Sequence, residues 1–165
     1  MIEREELDSL VVGADIVAKL QADIPYLSEA QGGTCRNVHD TRTAMNLTST
    51  VAPPAVLAEY AGDDSQDPRV MTIARQFSTL LMDLFLIGRT FDAAAEEGPG
   101  MIGVQQIARD VKRSLIGYIL PSVLNTSGAP YVKLWHVRNI REELSFERVI
   151  YRSQWRCTGF QAGAN

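Results

Sequence analysis

With 165 residues, 45% of them apolar and 22% charged, the chain can bury a real core within one domain and is not broadly disordered. Its net charge of −4 argues against a dedicated nucleic-acid binder, although an acidic chain can still present a local basic face. Cys35 and Cys157 lie far apart, the first residues are charged, and no apolar run reaches the roughly 18 residues of a membrane span. Cytoplasmic synthesis and reduced thiols are therefore expected.

Leu7 to Ile24 reads as a helix: Leu7, Leu10, Val11, Ala14, Val17 and Ile24 recur at three- and four-residue spacing, and Pro25 stops the pattern. A loop ending in Gly32-Gly33 leads to a short strand over Thr34–His39. Asp40–Ala52 is polar, hence loop or a short helical turn. Pro53 and Pro54 fix the backbone before a strand at Ala55–Ala61, and Gly62–Pro68 reads as a turn carrying Asp63, Asp64 and Asp67.

Arg75 to Gly88 fits helical and alternating spacing alike. A strand is favoured, because a hairpin with the preceding strand is the simplest pairing. Phe91–Gly100 reads as an acidic loop. Met101–Leu120 reads as an amphipathic helix with Val104, Ile107, Ala108, Val111, Leu115 and Ile119 on one face, ended by Pro121. Asn125–Pro130 reads as a turn.

From Tyr131 the chain alternates again. Val149, Tyr151, Ser153, Trp155 and Cys157 oppose Ile150, Arg152, Gln154, Arg156 and Thr158, so a C-terminal hairpin joined near Glu142–Glu147 is predicted, with a frayed tail at Gln161–Asn165. The order of elements specifies a single α+β domain: a mixed, mostly antiparallel sheet covered by two main helices.

No catalytic constellation emerges. His39 beside Asp40 lacks a nucleophile elbow, and His136 reads as a strand-face residue. Two histidines and two scattered cysteines fit no zinc spacing. Gly98–Gly103 lacks the Lys-Ser/Thr end of a phosphate loop, and Cys157 has no neighbouring base. Asp83 reads as a polar position on a wet sheet face or at a subunit interface. No enzyme activity, cofactor or metal is expected. Arg138, Arg141, Arg148, Arg152 and Arg156, mixed with Glu142, Glu143 and Glu147, suit pairing with a neighbouring subunit better than nucleic-acid binding.

One stretch carries a resemblance. Pro53-Pro54-Ala55-Val56-Leu57-Ala58-Glu59-Tyr60-Ala61-Gly62-Asp63 follows an N-terminal helix. It precedes the Arg75–Gly88 strand, the helix from Met101 and a closing strand ending Trp155-Arg156-Cys157-Thr158-Gly159-Phe160. In this order the chain, from about Leu10 to Phe160, resembles the small tail-region proteins of Mu-like phages, which are similar in architecture to the tail terminators of long-tailed phages.

The resemblance implies an α+β subunit that forms a hexameric ring on the last tail-tube ring, stops tube and sheath polymerisation, and offers the surface where the head docks. The implied partners are tube, sheath and head–tail connector proteins. DNA would only pass through the pore, which acidic loops such as Asp63–Asp67 or Glu96–Glu97 would suit. No membrane is involved, and the location is the virion. Other readings are a different neck or tail-completion subunit, a small enzyme using His39 and Asp40, and a host-side adaptor.

A ring contact is heterologous, so two different faces must complement each other. Asp63 and Asp64 on one side, and Arg138, Arg141, Glu142, Arg148 and Arg152 on the other, are the candidate interface residues. Reversing the charge at Arg141 or Arg152 is expected to weaken ring formation without unfolding the monomer, as read by size exclusion with light scattering.

Overall fold

A computed structural model describes residues 7–38, 46–48, 50–65, 75–89, 102–125, 127–144 and 148–162. Along the chain run α1 (Ser9–Asp23), β1 (Thr34–Val38), β2 (Ala55–Ser65), β3 (Arg75–Gly88), α2 (Val104–Leu115), β4 (Leu134–Leu144) and β5 (Val149–Ala162). The strands form one sheet in the order β1-β2-β3-β5-β4, antiparallel throughout except for the parallel β1–β2 pair. This is the expected α+β architecture.

The ambiguous Arg75–Gly88 stretch is a strand over its full length, paired with β2 on one side and β5 on the other. Alternation then sorts its side chains: Leu80, Met82, Leu84 and Leu86 enter the main core, whereas Phe85 and Ile87 face the other way. The main core lies between the sheet and the two helices. Val12, Ile16 and Leu20 of α1 and Val104, Ile107, Val111 and Leu115 of α2 bury their apolar stripes against Trp155, Cys157, Val56 and Ala58. The side chain of Asp8 caps α1 by accepting a hydrogen bond from the Leu10 amide at 2.8 Å.

Three boundaries differ from expectation. The helix α2 stops at Leu115, not Leu120, because Gly117 (φ 73°) turns the chain left-handed just past the end. Residues 117–120 then bond to the start of the last hairpin: the Leu120 amide donates to the Val132 carbonyl (2.9 Å) and the Leu134 amide to the Tyr118 carbonyl (2.9 Å). Ile119, expected on the buried face of the helix, is exposed instead. The strand β2 also continues through the predicted turn to Ser65, across a bulge between Tyr60 and Gly62. Likewise β5 runs on to Ala162. The predicted Phe91–Gly100 loop and the His39–Asp40 pair lie outside the described residues.

The polar 40–52 segment acquires a role. Parallel neighbours need a crossover over one face of the sheet. Part of this one is helical (46–48 and 50), and Leu47 and Val51 cover a second, smaller core of Val38, Ala55, Leu57, Ile87 and Ile150. Its described part therefore lies opposite α1 and α2, with Leu47 and Val51 over one end of the helix-free face.

Gly88 fixes how α2 sits on the sheet, since a Cβ there would lie 2.5 Å from the Val104 backbone nitrogen and 2.9 Å from its Cα. Backbone cannot yield as a side-chain tip can. Gly88→Ala is expected to destabilise the fold by about 1–3 kcal/mol, seen as a lower urea midpoint with an unchanged slope.

Candidate functional site

On the helix-free face, register partners Glu59, Asp83, Gln154 and Arg138 form a polar row across β2, β3, β5 and β4. Glu59 and Asp83 are each only 6% exposed, although they stand directly opposite one another on adjacent strands. Like charges so placed are unfavourable unless compensated. Compensation comes from β5: Gln154 Nε2 donates to Asp83 Oδ1 at 3.2 Å, and Arg152 Nη1 lies 3.5 Å from Asp83 Oδ2. Arg152 Nε is also 2.7 Å from Glu142 Oε1.

Glu142 reaches Arg152 because of a bulge. The β4–β5 register slips between Arg141 and Glu143, which re-aims the intervening residue. Burial raises the Asp83 carboxyl above its ordinary value, Arg152 and Gln154 pull it back, and Glu142 adds to the rise.

The predicted interface residues fall into two groups. Glu142 and Arg152 are joined within the subunit, and Arg148 donates to the Thr48 carbonyl of the crossover. Arg152 is half-buried, so reversing its charge would leave Asp83 uncompensated and disturb the fold. Arg141 is a cleaner probe, because it is exposed. Arg138, Arg141 and Asp63 face solvent, Asp63 accepting a hydrogen bond from the Tyr60 hydroxyl at 2.7 Å. Asp64 occupies the next position of β2.

Sequence reading missed Glu59, Gln154 and Trp135. Glu59 shares the parity of Ala55 and Leu57 within an apolar strand, a signal that its carboxylate faces the second core side. Trp135 was legible as a strand residue, but its 54% exposure depends on β4 being an edge.

The remaining candidates have structural surroundings. His136 stacks edge-on against Trp155 (centroids 5.1 Å apart, 70° between planes) and pairs with Asn139 Oδ1 at 2.9 Å. Cys35 and Cys157 are free and buried, and burial pushes both thiols up to about 12. No group of three or more His, Cys, Asp or Glu among the described residues could hold a metal ion.

A cleft of about 390 Å³ is lined by Asp23, Tyr26, Asp110, Arg113 and Ser114. Both of its carboxylates already accept hydrogen bonds: Asp110 from Tyr26 (2.7 Å) and Gln106 (2.9 Å), Asp23 from Ser114 (2.7 Å) and Lys19 (3.2 Å).

The fold has a solved counterpart. A chain from the virion of a native gene transfer agent particle aligns with a TM-score of 0.50 and 17% identity, covering 90% of this chain and 94% of that one. The likeness is one of fold. No protein-family model matches the sequence, and no curated protein does.

The pH dependence of Asp83 follows from its surroundings. A carboxyl raised in the folded state favours folding while protonated, and that contribution is lost as pH rises through the raised value. Asp83→Asn is neutral at every pH. Its stability relative to the native chain should therefore be flat below about pH 4, the ordinary carboxylate value, and should increase as pH rises toward neutrality. Denaturant midpoints of both proteins from pH 3.5 to 7 measure this.

Proposed function

We propose that the chain is a structural component of a virion: a tail terminator whose copies form a ring on the end of the tail tube, stop tube and sheath growth, and present the docking surface for the head. The observation that carries this reading is the fold shared with a gene transfer agent virion chain over nearly all of both chains. The order of elements and the Pro53–Asp63 strand, with their resemblance to tail-region proteins, favour the reading as a tail terminator.

The subunit acts by assembly, not by catalysis. Its buried carboxylates Glu59 and Asp83 lie in a polar row across a sheet face. A ring of six copies meets the tube below and a head–tail connector above, with DNA passing through the centre.

Imaging particles assembled without this protein tests the reading. Overlong or polydisperse tails are the expected result. Tails of normal length lacking heads would overturn termination in favour of a neck or tail-completion role.

A further inference from the structure

The outer side of β4 is covered only where the chain enters it. The segment 117–120 runs antiparallel to that start, the Leu120 amide donating to the Val132 carbonyl and the Leu134 amide to the Tyr118 carbonyl. The ladder ends at Gly117, because the Ile116 amide is spent on the Lys112 carbonyl (3.0 Å) at the end of α2. Backbone groups alternate in direction along a strand, so the His136 amide and carbonyl point outward as those of Leu134 do. Among the described residues no strand pairs with β4 on that side from Trp135 onward.

The surface around this open edge is both apolar and cationic. Ile116, Ile119, Trp135 and Val137 are four of the six large hydrophobic side chains exposed among the described residues, and all four lie here. Lys133, Trp135, Arg138 and Arg156 share the helix-free face. Val132 and Leu134 on either side of Lys133 enter the main core, as do Trp155 and Cys157 on either side of Arg156. Trp135 is the register partner of Arg156, and Arg138 that of Gln154.

All three cations are exposed and have no ion-pair partner among the described residues. The acids nearby are taken: Arg152 holds Asp83 and Glu142, and Glu59 is buried. A tryptophan beside arginines is the composition of an interface hot spot.

An open edge binds an extended chain, whose backbone supplies affinity and whose alternate side chains supply specificity. Uncompensated cations on the receiving face select carboxylates at those alternate positions. Nucleic acid suits the site less well, since its phosphates would meet the cations but donate nothing to the His136 carbonyl. A second copy also suits it less well. Tyr60 and Asp63, exposed on the β2 edge, stand opposite Met82 and Leu80 of the main core and so face the helix side, away from these cations.

We propose that the β4 edge beyond Leu134 takes up an extended acidic segment of another protein. The segment adds beside β4 as a further strand, its carboxylates over Lys133, Arg138 and Arg156 and an apolar side chain against Trp135. The site is defined by the edge and its charge, so it does not depend on closure of a ring.

Trp135 is the exposed one of two tryptophans, Trp155 being fully buried, so its indole N–H reports on the edge in a proton–nitrogen NMR spectrum. The probe is a synthetic peptide of alternating glutamate and valine, about nine residues long, within the usual range of strands. Titrated into the full chain, it should shift the Trp135 indole signal and leave that of Trp155 in place. Arg138→Glu with Arg156→Glu should weaken binding at least about tenfold. Arg109→Glu with Arg113→Glu, an equal charge change at exposed positions of α2, should leave it unchanged. Methylating every backbone nitrogen of the peptide removes its strand donors and should abolish binding.

No shift at Trp135, or equal binding by the methylated peptide, would overturn the site. Tighter binding of a single-stranded oligonucleotide of the same length would overturn it in favour of nucleic acid. An oligomer of the free protein that Arg138→Glu with Arg156→Glu dissolves would overturn it in favour of a second copy.

Discussion

The central constraint is the pairing of β3 with β5, two strands of 14 residues hydrogen-bonded from end to end. Where such a strand is covered on both faces it must be apolar in both parities, and β3 is so from Leu84 to Ile87. Its even positions from Leu80 to Leu86 support the helices, and Phe85 and Ile87 support the crossover. Trp155, fully buried on β5, fills the space beneath the helices. The single carboxylate in the middle of β3 then needs partners, and β5 supplies them as Arg152 and Gln154. Packing and polar compensation thus come from the same pair of strands.

Charge on this chain does two different jobs. Where it is half-buried, as at Arg152 and Arg148, it ties strands and crossover together within the chain. Where it is exposed, as at Lys133, Arg138 and Arg156, it is left over from the fold. Exposed arginine on an edge strand also discourages indiscriminate pairing with other sheets, as do the bulges at His136/Arg138 and Tyr60/Gly62.

Much of this was legible in the sequence. The parity of β5 was readable from Val149 to Thr158 because one face is buried and the other is not, which makes alternation strict. The Arg75–Gly88 strand was ambiguous because leucine suits both periods; only its neighbours decide it. The bulges were not legible, since one extra residue leaves local composition unchanged while shifting everything beyond it. The early end of α2 was marked by Gly117, but the apolar spacing through Ile119 concealed it. The polar row could not be foreseen, because it joins four strands whose order in the sheet differs from their order in the chain.

The crossover that covers one end of the helix-free face limits how copies can meet. Sheets that stack face to face need an open surface on each partner and settle about 10 Å apart. Leu47 and Val51 occupy that surface on one half, and α1 and α2 pack on the other side. Face-to-face stacking is therefore confined to the half of the helix-free face that Leu47 and Val51 leave uncovered.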